Sequence, residues 1–218
     1  MNYKNIQIEW LGHSGFLVNY GKIIYIDPYQ IDSKAAEIKA DVILITHEHY
    51  DHCSIEDIKK IVKPETLIIT VPDCQSKLAQ TADKVKSVVL VKPGDRFNLL
   101  GAQIEVVPAY NTNKKFHAKE NEWVGFVIFV NGVKIYHAGD TDIIPEMEKL
   151  VGLGNIDIAL LPVSGTYVMT AEEAAEAANK IKPKIAIPMH YDSGVGTKED
   201  AEKFKSLCKV PVEILKKY

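Results

Sequence analysis

The sequence has few cysteines, a single arginine and no long apolar run, and each shortage excludes a class of protein. Its three cysteines are odd in number and lack CxxC spacing, which argues against a disulfide framework and fits a reducing compartment. No apolar run reaches the roughly eighteen residues that a membrane span needs. With Arg96 as the only arginine and a net charge of −3, neither a nucleic-acid nor a membrane partner is expected.

The remaining composition is that of an ordinary globular protein. Apolar residues make up 46% and charged residues 25% of the chain, and 218 residues suffice for a self-sufficient core. The opening MNYKNIQIEW has no charged segment followed by an apolar one, so no signal peptide is expected. No linker or charge block divides the chain. We therefore predict a single domain over residues 1–218 and a cytoplasmic location.

Two halves of the chain follow one plan of strands and a helix. The first half contains GKIIYIDP (21–28), KADVILITHEH (39–49), a helix capped by Ser54, and KPETLIITV (63–71). The second contains GVKIYHAGD (132–140), NIDIALLPVSG (155–165), the helix TAEEAAEAANKIK (170–182) with Thr170 as N-cap, and KPKIAIPMHY (182–191). A duplicated plan of this kind predicts an α/β fold, a four-layer αββα sandwich with an internal pseudo-duplication. The alternative to a duplication is that the two α/β halves look alike by chance, because strand patterns are degenerate.

Polar side chains gather where the predicted strands end. Asp27, the cluster HEHYDH, Asp140 and His190 each follow the carboxyl end of a strand. Ligand sites of α/β sheets form outside those ends, so we expect these residues to converge on one edge of the sandwich.

The cluster HxHxDH has the chemistry of a metal site. Neutral imidazoles and carboxylates are good ligands for zinc and similar divalent ions. Residues two apart in extended backbone point the same way, so His47 and His49 can bind one metal together. Asp51 and His52 follow on a turn and can reach a second metal. The alternative, a surface loop that is rich in histidine by chance, does not explain why the cluster directly follows a buried strand.

The cluster and its companions resemble a known family. WLGHS, IDP, THEHYDH, YHAGDTD and PMHY occur in the order shown by the metallo-β-lactamase superfamily, and the match extends over nearly the whole chain. The resemblance is strongest to its small metal-dependent hydrolases, among them the ascorbate-6-phosphate lactonases. More distantly, the chain is similar to the phospholipase D that cleaves N-acyl phosphatidylethanolamines. The resemblance implies the αββα fold and a metal-dependent hydrolase.

The resemblance also implies a set of metal ligands. By it, His47 and His49 bind metal one, Asp51, His52 and His190 bind metal two, and Asp140 bridges both. The implied cofactors are two divalent ions, with zinc expected and manganese or iron as alternatives. Asp27 is implied to orient a ligating imidazole from behind.

One ligand does not transfer directly from the family. The third histidine of metal one usually follows a strand in a Pro-Ala-x-His context, and here that context reads PAYN, with Asn111 in its place. His117 follows six residues later, and we predict that it supplies the ligand. Two alternatives stay open: metal one has only His47, His49 and Asp140, or Asn111 contributes an oxygen.

The predicted reaction is hydrolysis of a small ester, lactone or phosphoester by a hydroxide bound to a dinuclear metal site. Asp51 is the predicted proton donor to the leaving group, with His137 as the second candidate. The alternative is that His137 is a core histidine, because a residue three before Asp140 on one strand points to the opposite face. The role of His13 in LGHSG stays open.

Two other functions compete with this prediction. One is a nuclease or phosphodiesterase of the same superfamily, which the acidic chain with one arginine does not favour. The other is a non-catalytic metal-binding module, which the substitution at Asn111 keeps in play. A small-molecule substrate is the predicted partner. The substrate's identity and the oligomeric state cannot be read from the sequence.

Overall fold

A computed structural model describes residues 1–152 and 154–218 and divides the chain into two compact units. The first unit comprises Met1–Val91 with Lys216–Tyr218, and the second comprises Lys92–Leu215. The prediction of a single domain stays a prediction. Within the described residues, every helix is too short or too polar to cross a membrane.

The first unit is built on a seven-stranded sheet in which strand order follows chain order. Its strands are β1 Asn2–Tyr3, β2 Ile6–Gly12, β3 Gly15–Asn19, β4 Ile23–Ile26, β5 Val42–Leu44, β6 Leu67–Thr70 and β7 Ser87–Leu90. Its helices are α1 Ser33–Ala36, α2 Ile55–Ile61 and α3 Gln75–Leu78, with 3₁₀ turns at Pro72–Cys74 and Ala79–Lys84. Strands β1 to β4 pair antiparallel, and β4 to β7 pair parallel.

The second unit is built on a six-stranded sheet of order β13-β12-β11-β10-β9-β8. The strands are β8 Arg96–Leu99, β9 Ala102–Pro108, β10 Val124–Val130, β11 Val133–His137, β12 Ile158–Pro162 and β13 Ile185–Met189. The helices are α4 Met147–Gly152, α5 Ala171–Ile181 and α6 Lys198–Leu207, with a 3₁₀ turn at Lys119–Asn121. Strands β8 to β11 pair antiparallel, and β11 to β13 pair parallel.

The two units repeat one topology, as the sequence predicts. In each, an antiparallel run ends in a strand (β4 or β11) that continues into parallel partners (β5 and β6, or β12 and β13). These are the strands that contain the matching sequence segments. Every residue of β5 and of β12 is buried, which explains their nearly continuous apolar sequences.

The predicted helix caps are confirmed. The Ser54 hydroxyl oxygen accepts a bond from the amide of Asp57 at the start of α2. The Thr170 hydroxyl oxygen accepts from the amide of Glu173, whose carboxylate accepts from the amide of Thr170, so α5 begins with a complete capping box. In α5 the alanines and Ile181 are buried, and this apolar face fixes the helix on the second sheet.

Candidate functional site

Four candidate residues stand at points where the backbone takes the left-handed conformation. Asp27 directly follows β4 and has φ 44°, and His190 directly follows β13 and has φ 60°. His13, in the β2–β3 turn, has φ 52°, and His117 has φ 57°. This conformation costs a residue other than glycine about 1–2 kcal/mol. Such strain concentrates at functional sites, where the surrounding structure holds it in place.

In the first unit, buried Asp27 is the centre of a hydrogen-bond network. Its carboxylate accepts bonds from the backbone amide of Thr46 at 2.8 Å and from the Thr46 hydroxyl at 2.7 Å. It also lies 2.7 Å from Nδ1 of His52, and Thr46 Oγ1 lies 2.9 Å from Nδ1 of His47. With Nδ1–H of both imidazoles donating, Nε2 of each ring keeps its lone pair for a metal.

The HEHYDH segment brings its predicted ligand atoms close together. Nε2 of His47 lies 3.0 Å from Nδ1 of His49, so the two imidazoles converge as expected for residues two apart. The Asp51 carboxylate lies 3.0 Å from Nε2 of His13. The turn that contains His13 therefore supplies a partner to Asp51, an arrangement that the sequence alone left open.

In the second unit, one carboxylate oxygen faces two imidazoles. Oδ2 of Asp140 lies 3.3 Å from Nε2 of His117 and 3.1 Å from Nε2 of His190. All three side chains are at least 95% buried. His117 thus lies beside the carboxylate that the resemblance identifies as bridging. Its role as a ligand stays a prediction.

Both histidines that face Asp140 have a hydrogen-bond partner at their other ring nitrogen. Nδ1 of His190 lies 2.8 Å from the hydroxyl of Ser164, and Nδ1 of His117 lies 3.1 Å from the carbonyl oxygen of Tyr167. These partners orient the rings so that Nε2 points to Asp140. Ser164 and Tyr167 were not predicted from the sequence as partners of these histidines. The available signal was that Ser164 follows β12, at the same kind of strand end as the other candidates.

Asn111 braces a loop in this structure. Its side-chain amide donates to the carbonyl oxygens of Phe116 at 2.9 Å and Tyr167 at 2.6 Å. Its Oδ1 is buried and has no hydrogen-bond partner among the described residues. Asn111 therefore fixes the segment that contains His117, and whether it also binds metal is untested.

Two further titratable residues lie close to candidate ligands in the sequence: His137 precedes Asp140 by three residues, and Tyr191 directly follows His190. His137 is fully buried, and its Nδ1 accepts a bond from the amide of Gly139 at 3.2 Å. Its predicted role as a proton donor is untested. Burial, together with the charges of Asp192 and Glu202, raises the pKa of Tyr191 to about 12. The Tyr191 phenol next to His190 is therefore protonated at neutral pH.

The spacing of donor atoms fits divalent metal binding. A tetrahedral zinc site with bonds of about 2.0–2.1 Å places neighbouring ligand atoms about 3.3–3.4 Å apart. The contacts measured within the units, 3.0 Å for His47–His49, 3.3 Å for His117–Asp140 and 3.1 Å for His190–Asp140, are close to such an edge. Ligand atoms with lone pairs stay this close only with a proton or a cation between them, and a divalent cation can take that place in each contact.

Comparison with known proteins places the chain in a family. The model of the β-lactamase superfamily domain matches residues 7–190. A UPF0173 metal-dependent hydrolase of Thermoplasma acidophilum is 35% identical over 94% of this chain and 92% of its own. One from Thermococcus onnurineus is 36% identical over 96% of this chain and 95% of its own.

Solved structures agree with the sequence comparisons. A protein of Parabacteroides distasonis, 34% identical, superposes with a TM-score of 0.83 over 97% of this chain and 94% of its own. Igni18, described as a metallo hydrolase of Ignicoccus hospitalis, is 26% identical with a TM-score of 0.77 over 97% of this chain and 95% of its own. The predicted α/β metallo-β-lactamase fold is thereby confirmed. The chain belongs to the metallo-β-lactamase superfamily, with the UPF0173 proteins, and is a metal-dependent hydrolase.

Proposed function

We propose that this hydrolase cleaves a small ester, lactone or phosphoester and requires two divalent cations, with zinc as the expected metal. The proposed ligands are those that the resemblance implies, together with His117: His47, His49, Asp51, His52, His117, Asp140 and His190. The proposed substrate is a small molecule handled in the cytoplasm, without a nucleic-acid or membrane partner. A substrate like that of the ascorbate-6-phosphate lactonases is one form of this proposal.

The observation that carries the proposal is the arrangement around Asp140. A single carboxylate oxygen faces two imidazole nitrogens, and each imidazole is oriented by a partner at its other nitrogen. The first unit shows the same construction, in which Asp27 and Thr46 orient His52 and His47. Oriented imidazoles with a shared carboxylate are typical of metal sites, since outer partners fix the tautomer and raise ligand basicity.

The chemistry follows from these groups. Bound divalent cations lower the pKa of water toward neutrality and polarise a carbonyl or phosphoryl oxygen. The residues of the chain orient the ligands and transfer the proton. The Asp51 carboxylate, held at Oδ2 by Nε2 of His13, takes the proton that the attacking water releases and passes it to the leaving group. His137 is the alternative proton donor.

The experiment is a chelation series on p-nitrophenyl acetate, a lactone and bis-p-nitrophenyl phosphate. Turnover of at least one substrate should disappear on chelation and return with Zn²⁺ or Mn²⁺. Asp140→Ala and Asp51→Ala should be inactive under all conditions, whereas Asp41→Asn, which alters a carboxylate bonded to Lys63 and Ile23, should keep activity. Turnover that survives thorough chelation would refute the proposal. Bound metal without turnover on any substrate would favour the non-catalytic module instead.

A further inference from the structure

Two exposed aromatic rings lie next to the histidine loop of the second unit. The side chains of Phe116 and Tyr167 are 48% and 36% exposed, and they contact each other edge to face with centroids 5.0 Å apart at 86°. Phe116 directly precedes His117. Single exposed apolar residues are ordinary, but two rings in contact form an apolar patch, and aromatic residues are enriched where proteins bind partners and ligands.

The aromatic pair is held in place from the buried side. Asn111 donates to the backbone carbonyls of both Phe116 and Tyr167, and His117 contacts the same Tyr167 carbonyl through Nδ1. One buried amide therefore fixes the two rings relative to each other and to the candidate ligand. The rings form a preorganised apolar surface, which loses little conformational entropy when a ligand covers it.

Most of the lysines of this loop are paired with carboxylates. Lys114 pairs with the buried carboxylate of Asp142 and lies 3.7 Å from Glu173. Lys119 pairs with Glu146 at 3.1 Å. Two of the three lysines in residues 111–123 are thus occupied by carboxylates, and Lys115 is exposed. The side-chain chemistry beside His117 favours an apolar group over an anionic one.

The first unit has a comparable feature beside its own candidates. Tyr50, between His49 and Asp51, is 73% exposed and contacts Tyr29 edge to face with centroids 5.9 Å apart. The Tyr29 ring in turn contacts His13 at 5.8 Å. An aromatic pair with at least one exposed ring therefore accompanies the candidate residues in each unit, and this recurrence supports assigning the rings to substrate binding.

We propose that the Phe116–Tyr167 pair binds the apolar part of the substrate, so that the substrate is an uncharged ester or lactone with an apolar acyl or aromatic group of several carbons. This inference rests on the proposed function, because it narrows the substrate class of the same enzyme. Phosphoesters and short polar esters are then poor substrates, since neither fills an apolar surface.

The test compares chain-length dependence in four proteins: wild type, Phe116→Ala/Tyr167→Ala, Tyr167→Phe and Lys115→Ala. The first readout is kcat/KM for p-nitrophenyl acetate, butyrate and hexanoate. The second is the Kd of butyrate, hexanoate and octanoate for the zinc-loaded protein, by calorimetry, which needs no turnover. In wild type, kcat/KM should rise and Kd should fall about two- to fourfold per added methylene, as expected when a methylene leaves water.

The double variant should lose this dependence, mainly through KM, whereas Tyr167→Phe and Lys115→Ala should keep it. The inference is overturned if wild type shows no chain-length dependence, or if the double variant keeps the dependence of wild type. Binding that tightens with chain length but no ester hydrolysis would support the apolar surface and refute the proposed esterase function. Ester hydrolysis without chain-length dependence would support the proposed esterase function and refute the apolar surface. A preference for phosphoesters that disappears in Lys115→Ala would also overturn the inference.

Discussion

The buried carboxylate of Asp27 gives the sharpest prediction about how this protein prepares its metal ligands. It accepts two bonds from Thr46 and contacts Nδ1 of His52, and its side chain is completely buried. Asp27→Asn keeps the shape of the side chain but removes its charge. The amide also places an N–H group against the backbone amide and the hydroxyl of Thr46, both of which donate to the carboxylate. His52 then loses a charge-assisted partner and its fixed orientation.

The expected magnitude follows from the strength of that bond. A hydrogen bond to a charged group contributes about 1.5–3 kcal/mol and a neutral one about 0.5–1.5 kcal/mol, so the substitution costs about 1–2 kcal/mol at His52. That corresponds to about a 5- to 30-fold loss of metal affinity, which overlaps the ten- to hundredfold range typical of outer partners. Ser164→Ala, which removes one neutral partner of His190, should cost less, about 2- to 13-fold.

The assay is competition for Zn²⁺ between metal-depleted protein and a chromophoric chelator at fixed pH. Asp41→Asn serves as the matched control. Like Asp27, Asp41 accepts a bond from a backbone amide, in its case that of Ile23. Asp41 lies before β5, whereas Thr46, the partner of Asp27, lies after it. This control should bind Zn²⁺ as wild type does. If Asp27→Asn binds as tightly as Asp41→Asn while folded by circular dichroism, the reasoning about His52 is wrong.

Three further predictions concern single side chains. His117→Ala should lower bound metal by about one equivalent per chain, measured by elemental analysis, and unchanged stoichiometry and affinity would remove His117 from the ligand set. Thr170→Ala should lower the free energy of unfolding by about 1 kcal/mol in denaturant titrations, because it breaks the capping box with Glu173, and an unchanged midpoint would contradict this. Burial raises the pKa of the Cys208 thiol to about 11, so its alkylation by iodoacetamide should accelerate about tenfold per pH unit from pH 8 to 10; a rate independent of pH would refute this.

The fold could be predicted because its signals are local and strong. The apolar run before HEHYDH gives a buried strand, and the capped pattern after Thr170 gives an amphipathic helix. The repetition of this plan predicts two similar sheets, and the structure shows the same succession of antiparallel and parallel pairings in both units. Each inference depends on residues a few positions apart, where hydrophobic period and capping chemistry are direct.

The finer features of the site could not be predicted, because they depend on residues far apart in sequence. Ser164 contacts His190 across 26 positions, and Asn111 binds the Tyr167 carbonyl across 56. The left-handed backbone at His117 and His190 has no sequence signature comparable to glycine. From sequence, Asn111 in the expected place of a histidine is either a lost ligand or an oxygen ligand, and its hydrogen bonds to the carbonyls of Phe116 and Tyr167 could not be predicted.

We propose that hydrolysis by this protein requires two metal ions per chain. The most direct test adds Zn²⁺ stepwise to metal-depleted protein while bound metal and ester turnover are measured on the same samples. We expect depleted protein to be inactive and turnover to rise to a plateau at two bound ions per chain. Turnover in the depleted protein, or full turnover with a single bound ion, would contradict it.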